Sequence, residues 1–100
     1  MMNVLTIAGS DSCGCAGIQA DLKTMGALGT FGMSVITAVT VQNTQRVYDA
    51  LELHHNIVAG QIDAGYADIP VHAVKIGMVS DVAIMHSIRD SLLKHSAVNI

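Results

Sequence analysis

Aromatic rings are scarce in this chain. Tryptophan is absent, and Phe31, Tyr48 and Tyr66 are the only phenylalanine and tyrosine residues. That excludes a stacking platform for single-stranded nucleic acid. Basic charge is equally short: five Lys and Arg stand against eight Asp and Glu, for a net charge of −3. Binding to nucleic acid through bulk electrostatics is excluded with it. No uncharged apolar run approaches the ~20 residues that span a membrane, and the longest candidate, Phe31 to Val41, is studded with Thr and Ser. Met1-Met2-Asn3 carries no basic segment, and Asp11 interrupts the apolar run after Ala8. A secretory signal is therefore not expected, and the expected compartment is the cytoplasm. Cysteine is limited to Cys13 and Cys15. A bridge across one intervening residue is strained, so both are read as free thiols in a reducing environment.

What the chain does have is apolar bulk. Its 100 residues are 51% hydrophobic and only 13% charged, with a mean hydropathy of +0.48. Disorder is excluded by that balance. The length suits one domain with a modest core. The charge is thin for the polar skin of a free-standing small domain, so the expectation is a portion of something larger.

The apolar pattern changes period along the chain. Asn3 to Ala8 is a short apolar run with no helical spacing and predicts a strand buried on both faces. Gly9-Ser10-Asp11-Ser12 predicts a turn. Ile18, Leu22, Met25 and Leu28 then mark one side of a helix from about Ala16, with Gly29 at its C-terminus. Met33 to Val41 is rich in β-branched residues and predicts a second strand. Val47 to Leu53 suggests a short extra one. Ile57 or Val58, Ile62 and Tyr66 mark a second helix, which must end before Pro70. Ala73 to Met78 predicts a third core strand. Ser80 or Asp81 can cap a third helix with Ile84 or Met85, Ile88 and Leu92 inward. Val98-Asn99-Ile100 reads as the start of another strand. Alternating strands and helices of this kind imply an α/β fold: a parallel sheet with helices on both faces.

In such sheets ligands gather beyond the carboxyl ends of the strands. Gly9, Gln42-Asn43 and Gly77-Met78 follow the three main strands. Glycine admits close approach to the backbone, and Gln42 offers both a donor and an acceptor to a heterocycle's edge. Turn chemistry alone also explains such residues at strand ends. Asp21 lies on or beside the helix face that should be buried, where an unpaired carboxylate is costly. It is either a ligand contact or a carboxylate held by backbone N–H groups and the helix dipole. The Gly-rich stretch Gly9 to Gly17 joins strand to helix, a usual place for an anion-binding loop. It fits neither a P-loop nor G-x-G-x-x-G, and a flexible cover is the alternative. No metal site is expected. Two thiols do not complete a tetrahedral set, and the adjacent His54 and His55 diverge. Asp63 and Asp68 are expected to face solvent, and the six methionines to pack.

Three segments carry a resemblance. Thr6 to Thr24 (TIAGSDSCGCAGIQADLKT), Gly32 to Thr44 (GMSVITAVTVQNT) and Asp68 to Val79 (DIPVHAVKIGMV) resemble, in order, the opening of the hydroxymethylpyrimidine/phosphomethylpyrimidine kinases of thiamine synthesis. The resemblance implies a ribokinase-like α/β/α sandwich, of which residues 1–100 match the N-terminal part, short of the ATP-binding and catalytic half. It implies ATP-dependent phosphorylation of hydroxymethylpyrimidine and then of its monophosphate, with Mg²⁺ and a homodimer as the usual assembly. It places Gly9, Asp21, Gln42 and Met78 in the pyrimidine pocket. Gln42 would read the ring edge, Asp21 would accept from a polar substituent, and Met78 would pack on the ring. No catalytic residue is expected within these 100 residues, since the catalytic and anion-binding turn lies far downstream in the family. A pyridoxine/pyridoxal kinase of the same fold is the alternative, and a non-catalytic chain that at most binds a small heterocycle is another. Cys13 and Cys15 depart from the family's S-G-G-A-G wording. Cys15 replaces a glycine, which is penalised if that position needs positive φ.

Overall fold

The computed structural model describes residues 1–100. Its elements are β1 (Asn3–Asp11), α1 (Gly17–Ala27), β2 (Phe31–Gln42), β3 (Val47–Glu52), α2 (His55–Asp68), β4 (Ala73–Ile76) and α3 (Val82–Lys94). The four strands form one sheet in the order β3-β2-β1-β4. β1 is central because both of its faces are apolar. Leu5 and Ile7 point to one side, Thr6 and Ala8 to the other, and all four are buried. β2 and β4 run parallel to β1, with Ile7 opposite both Val35 and Ile76. The expected parallel pairing of the three main strands is thus present, within a sheet that its fourth strand makes mixed.

Helices cover both faces, as expected. Leu5, Ile7, Val35 and Val74 pack with Val58 and Ile62 of α2 and with Ile84, Ile88 and Leu92 of α3 in a single core. On the opposite face Thr6 meets Asp21 of α1, and Leu22 and Met25 lie over Gly32. A fully buried Leu or Ile contributes about 1.5–3 kcal/mol, against roughly 0–1 kcal/mol for an exposed ion pair, so the core holds these layers together.

Several details depart from the sequence reading. β1 does not stop at Ala8 but runs to Asp11, with a register irregularity between Ala8 and Ser10. The Thr40 hydroxyl donates to the Ser10 carbonyl, and the Gln19 carboxamide holds the Ser10 hydroxyl and the Asp11 N–H. β3 is antiparallel to β2. The four residues between them allow a hairpin but no crossover. β4 ends at Ile76 rather than Met78 and lies at the sheet edge, with only Val74 buried. Gly77 N–H still donates to the Ile7 carbonyl and extends the pairing one residue. Val98 to Ile100 forms no strand, although Asn99 accepts from the Val74 N–H. Leu28 is 76% exposed as the C-cap of α1 rather than inward, with Gly29 beyond it at φ 76°. Asp63 is not free in solvent: it accepts from His95 Nε2 at 2.7 Å and lies 3.4 Å from Lys94 Nζ. Asp81, one of the two expected caps, does cap α3 by accepting from the Ile84 N–H.

Candidate functional site

Parallel strands place their carboxyl ends together, and here a cavity of about 430 Å³ opens at those ends. Gly9 of β1, Gln42 of β2 and Gly77-Met78 after β4 all line it. Three of the four sequence-predicted positions therefore share one mouth. Met78 lines the rim with 90% of its surface exposed. Gly9 has room: a Cβ there would find only the Ala38 carbonyl oxygen, at an ordinary 3.6 Å. The backbone of Gln42 is gripped by the Ser12 hydroxyl, which donates to its carbonyl at 2.7 Å and accepts from its N–H at 3.0 Å. Its side-chain Nε2 donates to the Thr40 hydroxyl at 2.6 Å. That bond aims the carboxamide and leaves its oxygen as an acceptor for an incoming donor.

Asp21, the fourth, does not line the cavity. Its Oδ2 accepts from the Thr6 hydroxyl at 2.6 Å and from Lys75 Nζ at 2.8 Å. Lys75 does line the cavity. The carboxylate is thus held by side chains, not by the helix backbone, and it reaches the mouth through Lys75. Burial pushes its carboxyl up, but the bond from Lys75, the bond from Thr6 and the Lys75 charge together hold it below its ordinary value. Lys75 was not singled out in the sequence. Its signal was an isolated lysine within the apolar A-V-K-I-G run. Thr6 and Lys75 are register partners on parallel strands and so face the same helix.

The loop between β1 and α1 is organised from within. Asp11 is buried, and its carboxylate accepts from the N–H groups of Cys13 at 2.8 Å, Cys15 at 3.2 Å and Ala16 at 2.8 Å. The N–H groups that make such loops anion sites are therefore turned on an acid of the chain itself. Asp11 was missed as a site residue because D-S-C-G reads as turn composition. The positive-φ positions of the loop are Gly14 at 80° and Gly17 at 59°, both glycine, and Cys15 is not among them. Its side chain is therefore accommodated without backbone strain. Asp11, Cys13 and Cys15 bring ligand-type atoms within 4.8 Å of one another, but the carboxylate already serves three N–H donors. Glu52 of β3 also borders the cavity and contacts the Ser80 hydroxyl. No helix is long and apolar enough to cross a membrane.

Comparison with known proteins bears on the family and the fold. The family model for phosphomethylpyrimidine kinase matches residues 11–100. The hydroxymethylpyrimidine/phosphomethylpyrimidine kinase of Salmonella typhimurium is 43% identical over 99 residues, which are 99% of this chain and 37% of that protein. The chain thus spans little more than a third of that relative's length. The crystal structure of phosphomethylpyrimidine kinase from Clostridium difficile 630 superimposes with a TM-score of 0.94 at 55% identity, over 97% of this chain and 42% of that one. A pyridoxal kinase from Staphylococcus aureus, solved with AMP-PCP and pyridoxal, gives a TM-score of 0.84 at 32% identity, over 98% of this chain and 37% of that one. The sheet and its flanking helices are those of the ribokinase-like fold. Motifs, topology and likeness converge: the chain belongs to the phosphomethylpyrimidine kinase family.

Proposed function

We propose that this chain supplies the pyrimidine-binding side of an ATP-dependent kinase that phosphorylates hydroxymethylpyrimidine and its monophosphate. The observation that carries the reading is the meeting of Gly9, Gln42 and Met78 at one cavity, with Lys75 set beside them by Asp21. In this reading the Gln42 carboxamide accepts from an exocyclic amine of the ring. Met78 covers a ring face, and Gly9 lets the ring lie close to the backbone. Asp21 positions Lys75 and accepts from a polar substituent when Lys75 swings aside. The ATP donor and Mg²⁺ are part of the proposal. The β1–α1 loop does not fit a triphosphate, because its N–H groups are taken by Asp11. Phosphate contacts are accordingly not assigned to it, and phosphoryl transfer needs such contacts.

Titration calorimetry of the chain with hydroxymethylpyrimidine, and separately with pyridoxal, tests the reading. Gln42→Ala is expected to weaken pyrimidine binding by roughly 1–3 kcal/mol, the worth of an unpaired buried polar group. Unchanged affinity removes Gln42 from the pocket. Tighter binding of pyridoxal than of the pyrimidine favours the second reading, which the likeness to a pyridoxal kinase supports. In a coupled assay, ADP formation by the purified 100-residue chain is expected to match the blank.

A further inference from the structure

Cys13 and Cys15 take no part in the pocket described above, yet their sulfur atoms are in contact at 2.6 Å. Sequence spacing alone does not produce that contact. Two residues further along an extended chain lies roughly 6.6–7.2 Å away, at or beyond the Cα separation of about 4.4–6.8 Å that bridged cysteines favour. The turn supplies the difference. Gly14 sits at φ 80° and its N–H donates to the Asp11 carbonyl. The Asp11 carboxylate then takes the N–H of Cys13 and the N–H of Cys15 on its two oxygens. One buried acid thus fixes both cysteine backbones, and the glycine between them bends the chain. Access is graded as well: Cys15 is exposed and Cys13 is half-buried.

We propose that Cys13 and Cys15 form a reversible dithiol–disulfide site on the loop bordering the cavity, oxidised by small-molecule disulfides. The exposed Cys15 thiolate attacks one sulfur of the small disulfide. That bond breaks, one small thiolate leaves, and a mixed disulfide forms on Cys15. The Cys13 thiolate then attacks the Cys15 sulfur and expels the second small thiolate. Two protein thiols give up two electrons to the small disulfide, and their two protons end on the released thiols. The ring closed by one intervening residue is tight, which makes this bridge a labile one rather than a structural one. The free-thiol reading above is then the reduced state of this site.

The test uses the reduced chain equilibrated in graded mixtures of reduced and oxidised glutathione, quenched with N-ethylmaleimide and weighed intact. The wild-type chain is expected to form no disulfide to a second chain. It should pass from two maleimide groups to none, with a mass loss matching two hydrogens and no glutathione attached. Cys13→Ser is expected to stop at one glutathione on Cys15. Cys15→Ser should react more slowly, because Cys13 is half-buried where Cys15 is exposed. The folded chain is expected to close at a concentration of oxidised glutathione at least tenfold lower than the same chain in urea. Equal closure in urea, stable glutathione adducts on the wild type, bridges between chains, or two thiols that survive the oxidising mixtures would each overturn the proposal.

Discussion

A Cβ placed on Gly17 runs into the Gly9 carbonyl oxygen, whereas a Cβ on Gly9 meets nothing nearer than 3.6 Å. The two glycines therefore answer to different demands. Gly17 opens α1 at φ 59° and lets the helix start against β1. Gly17→Ala combines the left-handed backbone cost with a backbone clash, and is expected to destabilise the chain by about 2–4 kcal/mol in urea unfolding. Gly9→Ala is expected to leave the urea midpoint within about 0.5 kcal/mol of wild type and to weaken pyrimidine binding about tenfold. A lowered midpoint for Gly9→Ala with intact binding would make its glycine a matter of folding instead. The sequence wording of the loop does not separate the two positions. Both are glycines in one Gly-rich stretch, and only the close approach of strand and helix distinguishes them.

At the scale of elements, the β1–α1 connection shows where local sequence stops being informative. Gly9-Ser10-Asp11 has turn composition, yet it is strand. The groups that keep it extended come from Gln19 and from Thr40, the latter thirty residues away. α3, by contrast, was legible: Asp81 precedes Ile84, Ile88 and Leu92 at helical spacing, and the cap and buried stripe follow. The antiparallel direction of β3 was implicit in the short link before it. Within the connection, Asp11 replaces an external anion. Asp11→Ala removes the acceptor of three N–H groups in a part-buried setting, and a loss of about 3 kcal/mol in stability is expected. Amide exchange locates the effect: Cys13, Cys15 and Ala16 should lose protection first, while the core strands keep theirs until global unfolding. Uniform loss across all elements would show that Asp11 supports the whole sheet rather than the loop.

For the whole molecule, parallel topology alone put three strand tips at one mouth, so Gly9, Gln42 and Met78 were legible as neighbours. The Asp21–Lys75 pair was not, because it needs the Thr6–Lys75 register between segments far apart in sequence. The same pair clips α1 to the sheet on one face, and on the other Asp63 clips α2 to the end of α3. Both carboxyls are held low. In Asp21 burial opposes the shift and the bonds from Lys75 and Thr6 overcome it; in Asp63 the bond from His95 leads, with Lys94 adding to it. A carboxyl that titrates lower when folded leaves the unfolded chain with more bound protons below about pH 4. Its stabilisation is complete above the unfolded value and is lost as pH falls through the folded one. Urea midpoints should therefore fall between about pH 5 and pH 2, and Asp21→Asn with Asp63→Asn should flatten that fall. Asp21 should account for more of it, since its side chain is 18% exposed and Asp63 is 39% exposed beside a 65% exposed Lys94. An acid slope left intact in the double variant would mean that neither clip is what protonation releases.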